Sequence, residues 1–133
     1  MEPRTWQLAA VGLGLGALAG CASSNGPNLP PCAGPVTLAA TSALEPSFAW
    51  TPNCLVDQLT LEEDIAPSAG GPQPRWAMRS RVTGQGTPGP LRYGDVPASM
   101  EELLSPATLV AGREYSARVF AGTVVVGQAV FRP

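Results

Sequence analysis

The chain contains no histidine and no lysine, and its eight basic residues are all arginine. Without an imidazole base, the serine and cysteine triads that depend on one are excluded. The all-arginine set reads as a GC-rich coding bias rather than a binding signal. With ten acidic residues the formal net charge is −2. No cluster of basic residues supplies the electrostatic footprint of a nucleic-acid binder, so no nucleic acid is expected as a partner. The longest charge-free apolar run, Leu8–Gly20, has 13 residues, against the roughly 20 needed to cross a bilayer as a helix. The glycine-rich stretch TGQGTPG at 83–89 opens no helical pattern and is followed by no Lys-Ser/Thr pair, so it is not a phosphate cradle.

What remains is enough for one domain. The 133 residues are 44% hydrophobic, which argues against wholesale disorder. Fifteen glycines and fifteen prolines argue against a helical bundle and for short strands joined by many turns. The amino-terminal segment is different in kind. Arg4 gives a weakly positive start, diluted by Glu2, and Thr5 to Gly20 carry no charge. A basic start, a short apolar run and small residues at its end describe a secretory signal peptide. The alternative is a buried helix, for which the four glycines of VGLGLGALAG are poor material at roughly 1 kcal/mol each relative to alanine.

The segment ends in Leu18-Ala19-Gly20-Cys21, which resembles the lipobox of bacterial lipoproteins. That resemblance implies a diacylglyceryl thioether on the Cys21 thiol, cleavage between Gly20 and Cys21, and acylation of the new amino group by fatty chains such as palmitate. The small residues let a protease approach the backbone, and the thiol is the best nucleophile present. Two or three acyl chains hold firmly where one is marginal, at ~0.8 kcal/mol per buried CH2. In such proteins Asp after the lipidated Cys often marks inner-membrane retention. Ala22 and Ser23 stand here, which implies the outer membrane if the cell has two membranes. The expected location is the cell envelope, with the membrane as partner through the lipid.

Ala22–Pro31 is polar and proline-rich and reads as an extended tether, reaching about 30 Å if polyproline-like. The alternative is that it packs along the domain. With Cys21 taken by lipid, Cys32 and Cys54 are an even pair in an oxidising compartment, and a disulfide is the natural reading. The alternative is two free buried thiols. Two cysteines without histidine leave a metal ligand set incomplete, and no cofactor is expected. The organisation read from the chain is a signal peptide over 1–20, a lipidated terminus and tether over 21–34, and one domain over 35–133.

Within that domain, period-two runs are bounded by Gly, Pro or Asn. Val36, Leu38 and Ala40 share one face; so do Phe48 and Trp50, Leu59 and Leu61, and Tyr115, Ala117 and Val119. Trp76, Met78 and Val82 share another, with Arg79 and Arg81 opposite, and TVVVGQAVFRP closes the chain. Six or seven such strands predict an all-β sandwich. Ser99–Pro106 alone looks helical, with Ser99 as cap, Glu101 and Glu102 in the first turn and Pro106 as stop.

Two segments together resemble fibronectin type III-like domains, members of the immunoglobulin-like sandwich class. PSFAWTP is similar to their second strand with its buried Trp, and Leu109, Gly112 and Tyr115 match the Leu-x-x-Gly-x-x-Tyr of the tyrosine corner. LRYGDVP before that corner also looks like fibronectin-like domains of bacterial lipoproteins. The alternative is another all-β sandwich or a small barrel. The resemblance implies that Cys32, before the first strand, and Cys54, between the second and third, lie at one pole. A bridge between them then requires Cα atoms about 4.4–6.8 Å apart.

No catalytic constellation is legible, and an enzyme is not expected. Adjacent carboxylates on a strand point to opposite faces, so Glu62-Glu63-Asp64 makes a poor catalytic pair and reads as a solvated strand end. Trp76 and Tyr93 are candidates for a ligand platform or, on their apolar-periodic strands, for core. Phe120 alternates away from Tyr115, Ala117 and Val119 and falls on an outer face. The expected function is a lipid-anchored, non-enzymatic envelope protein presenting a β-sandwich for protein–protein contact. The alternatives are a glycan or small-ligand module and an accessory subunit of an envelope complex with another envelope protein as partner.

Overall fold

The computed structural model describes residues 28–133. The signal segment, Gly20 and Cys21 and the first part of the tether lie outside the described residues. Among these residues are eight strands: β1 (Thr37–Ala40), β2 (Ser47–Thr51), β3 (Gln58–Glu63), β4 (Gln73–Ser80), β5 (Leu91–Arg92), β6 (Met100–Leu104), β7 (Tyr115–Ala121) and β8 (Val124–Phe131). They form two antiparallel sheets in the orders β1-β2-β5 and β6-β4-β3-β7-β8. The chain is an all-β sandwich, as its alternating pattern predicts.

The core lies between the sheets. Leu38, Phe48, Trp50 and Leu91 come from the smaller sheet; Leu59, Leu61, Trp76, Met78, Tyr115, Ala117 and Val119 from the larger, all buried. Phe48 bridges them, stacking on Trp76 at 6.3 Å and meeting Phe131 edge-on at 6.1 Å. Alternation puts each of these side chains on the inner face, where burying a large apolar side chain is worth roughly 1.5–3 kcal/mol. The two sheets also meet along one side. The Val36 N–H donates to the Val126 carbonyl at 2.8 Å, beside a register shift where β8 bulges against β7.

Two expectations are corrected. Ser99–Pro106 is not helical: β6 pairs antiparallel with β4, Met100 opposite Ser80 and Glu101 opposite Arg79. Six residues ahead of a proline are too few for a self-supporting helix, whereas β4 offers an unpaired ladder of N–H and C=O groups. The Arg79–Glu101 ion pair joins the two strands, and the Ser99 hydroxyl donates to the Gly86 carbonyl instead of capping. Val82 does not share the inner face of Trp76 and Met78. β4 ends at Ser80, and Val82 sits in the following turn, 53% exposed.

The registers define two poles. β1, β3, β6 and β8 start, and β2, β4 and β7 end, at the pole where the described chain begins; the last residue, Pro133, lies at the other, bonded to the Gly112 N–H. We call these the N-terminal and C-terminal poles. At the N-terminal pole the chain from Pro30 to Cys32 runs beside Leu55, with hydrogen bonds from Leu55 N–H to Pro30 O and from Cys32 N–H to Leu55 O, both 2.9 Å.

Candidate functional site

Three groups of side chains converge outside the regular ladders. The first closes the N-terminal pole. Cys32 and Cys54 are bonded as a disulfide with Cα atoms 4.9 Å apart, inside the expected range. Next to the bridge, Trp50 Nε1 donates to the Cys54 carbonyl at 2.8 Å, and Asn53 exchanges two 3.0 Å side-chain hydrogen bonds with the Gly89 backbone. Val56 and Thr87 exchange backbone hydrogen bonds. The chain there can approach only because residue 86 is glycine: a Cβ would lie 1.7 Å from the Val56 carbonyl oxygen.

Asp57, buried at the head of β3, holds this pole together. Its Oδ1 accepts from the Gly84 N–H at 2.7 Å and the Ser80 hydroxyl at 3.1 Å, and its Oδ2 from the Gly122 N–H at 2.6 Å. One carboxylate thereby ties the turn after β4 to the β7–β8 turn. Sequence reading missed it because its glycine partners lie 27 and 65 residues away. The usable signal was a single acid embedded in the apolar run Cys54–Leu61.

The second group, at the C-terminal pole, corrects the reading of Glu62-Glu63-Asp64 as a solvated strand end. Glu63 continues the inner face of Leu59 and Leu61 and is 3% exposed. Arg75 donates to its Oε2 at 2.7 Å and Arg113 to its Oε1 at 3.1 Å. The Arg75 hydrogen bond is the main force holding its carboxyl below the usual carboxylate range; burial pushes the other way, and Arg113 adds to the lowering. Each oxygen has a guanidinium donor, which favours the ionised form, and the carboxylate clamps β4 and the segment ahead of β7 to the end of β3. Glu62 faces outward to Arg118, and Asp64 accepts from the Ser116 hydroxyl.

The third group is aromatic. Trp76 is fully buried and meets Tyr93 edge-on at 5.2 Å, so the pair packs the core and presents no exposed platform. The Tyr93 hydroxyl donates to the Ala107 carbonyl at 2.6 Å. Burial, with Tyr115 nearby, pushes its pKa up to about 12. Tyr93 also forms one wall of a surface groove of about 340 Å³ with Leu44, Pro106 and Leu109. On the other side of the same loop the Tyr115 hydroxyl accepts the Val110 N–H at 2.8 Å. Gly112 turns the chain between them at φ 82°, Leu109 is buried, and the Tyr115 ring stacks on Phe131 at 5.7 Å. Leu109, Gly112 and Tyr115 are thus gathered at one turn, and two tyrosine hydroxyls pin the segment between β6 and β7. Phe120 is half-buried at the end of β7.

Among the described residues no group of three or more His, Cys, Asp or Glu side chains is placed to hold a metal ion. No helix of the described residues is long and apolar enough to cross a membrane. No protein-family model, curated protein or solved structure matches the chain.

Proposed function

We propose that this chain is a lipid-anchored, non-enzymatic protein of the cell envelope whose fibronectin-like β-sandwich is presented for contact with other proteins. The observation that carries the proposal is Leu18-Ala19-Gly20-Cys21 at the end of a short apolar segment. The Cys32–Cys54 disulfide supports it, because such bonds persist in oxidising compartments outside the cytoplasm. The saturated hydrogen bonding of Asp57 and Glu63 supports a structural rather than catalytic use of the buried acids. The packing of Trp76 against Tyr93 weighs against a sugar-binding aromatic platform.

The test is the mass of the protein purified from the envelope. The expected species begins at Cys21 and carries two or three acyl chains, and Cys21→Ala accumulates at precursor mass without lipid. A mature protein retaining residues 1–20 with a free Cys21 thiol overturns the proposal.

A further inference from the structure

The charged residues are distributed unevenly between the poles. At the C-terminal pole Glu45 pairs with Arg92, Glu63 with Arg75 and Arg113, and Glu114 with Arg132. The N-terminal pole is built from segments 28–36, 52–57, 81–90, 98–100 and 120–127, which together contain two charged residues, Asp57 and Arg81; the Arg79–Glu101 ion pair stands at its margin, level with Gln58. Asp57 is buried and saturated by its three donors. Arg81 is exposed but spends its Nε hydrogen bond on the Ala98 carbonyl.

What this pole offers to solvent is apolar. Val124 is 64%, Val82 53% and Val125 46% exposed, each on or beside a turn. Between the β7–β8 turn and residues 32–35 runs a groove of about 350 Å³, lined by Ala33, Pro35, Val124 and Val125 among others. The turn after β4 packs beside Pro31, close enough that a Cβ on Gly84 would lie 3.8 Å from its Cγ. The valine-tipped turns and the proline-rich lead-in therefore form one continuous end of the molecule.

The described chain starts at this same end. Six residues lie between Cys21 and Asn28, and the chain from one to the other reaches at most about 25 Å. From there the chain is tied down at once by the Leu55 hydrogen bonds and the disulfide. A lipid on Cys21 would hold the molecule by this pole, where Val82, Val124 and Val125 are exposed with few charges around them, whereas the exposed Leu44, Val110 and Val130 stand among the ion pairs of the other pole.

We propose that the N-terminal pole docks on the bilayer interface, with Val82, Val124 and Val125 at the headgroup–acyl boundary. This rests on the lipid-anchor reading of Cys21. The acyl chains supply residence at the membrane and the pole supplies orientation, because exposed apolar tips gain from leaving water and the exposed cations near them are Arg81 and, at the margin, Arg79, which is already paired with Glu101. The ion-paired C-terminal pole then points away from the membrane, toward soluble partners.

The experiment uses isotopically labelled full-length protein processed in a bacterial host and checked by mass for acyl chains on Cys21. It is then placed in phosphatidylcholine nanodiscs doped with a gadolinium-headgroup lipid. The expected result is loss of the Gly84, Gly122, Thr123 and Val124 amide signals, while Glu63, Gly112 and Arg132 keep theirs. The double variant Val124→Asp/Val125→Asp restores the lost signals without moving the Glu63 and Gly112 resonances, which report that it is folded. Lipidated protein broadened equally at both poles, or only at the C-terminal pole, overturns the docking and leaves the anchor standing. So does a double variant that behaves like the parent. A bare Cys21 overturns both.

Discussion

Arg75 reaches across the β3–β4 pair to donate to Glu63 at 2.7 Å, where the carboxylate is 3% exposed and the arginine 30%. β3 alternates inward with Leu59, Leu61 and then Glu63, so a charge stands where the apolar pattern calls for a third leucine. Arg113, from the turn before β7, covers its other oxygen. A buried carboxylate is costly unless paired and fully hydrogen-bonded, and this one has a cation on each oxygen. It fastens the β4 strand and the segment ahead of β7 to the same end of β3.

The linkage gives this clamp a pH signature. The folded pKa of Glu63 is depressed, so the unfolded state takes up its proton first as pH falls. The stabilisation is complete above the unfolded carboxylate value of about 4.3 and is lost as pH drops through the lower folded value. Denaturant unfolding from pH 7 to pH 3 is expected to show stability falling only below about pH 5. Glu63→Gln flattens that decline while lowering stability at neutral pH. Arg75→Ala costs more than Arg113→Ala, about 1–3 kcal/mol, since it strips the shorter hydrogen bond from a buried charge. A Glu63→Gln protein with the parent's full acid sensitivity contradicts the assignment.

Trp50 and Trp76 are both buried, yet their indole N–H groups differ. Trp50 Nε1 donates to the Cys54 carbonyl at 2.8 Å, whereas Trp76 Nε1 has no partner among the described residues. Phenylalanine removes similar volume at either site. At residue 50 it also orphans the Cys54 carbonyl; at residue 76 it removes a donor that was already unsatisfied. An unpaired buried group costs about 1–3 kcal/mol. Trp50→Phe is therefore expected to destabilise more than Trp76→Phe, by roughly 1–2 kcal/mol in denaturant midpoints at equal slope. Equal losses would show that the Trp76 N–H finds an acceptor in solution.

How much was legible in the sequence follows the range of each interaction. Period-two alternation marked the inner faces of β2, β3 and β7, because which face a side chain takes is decided within a few residues. The cysteine pair was legible from count and context. β6 was misread because its conformation is decided by the free edge of β4, with Glu101 opposite Arg79 twenty-two residues away. Glu63 was misread for the same reason: residue type said surface, but Arg75 and Arg113, 12 and 50 residues off, supply the charge that allows it inside. Asp57 carried only one local signal, a lone acid in an apolar run, since its value to the fold lies in two turns brought together only by the sandwich.

The disulfide closes a loop of 22 residues containing β1, β2 and the first part of the chain that follows them. In the chain-entropy view its removal costs roughly 3 kcal/mol. The smaller sheet should feel it most, for β1 and β2 are the strands inside the loop and β5 adds only two residues to their pairing. Cys32→Ala/Cys54→Ala is expected to remain folded but destabilised by about that amount. Hydrogen exchange should accelerate first at Cys32, Leu55 and the β1–β2 ladder, because the bridge and the Leu55 hydrogen bonds hold the lead-in strand jointly. Amides of the β3–β7 pair, buried in the middle of the larger sheet, should exchange only through global unfolding. Acceleration no greater at residue 32, Leu55 and the β1–β2 ladder than at the β3–β7 pair would mean that the bridge acts through the unfolded chain alone and has no local role at the N-terminal pole.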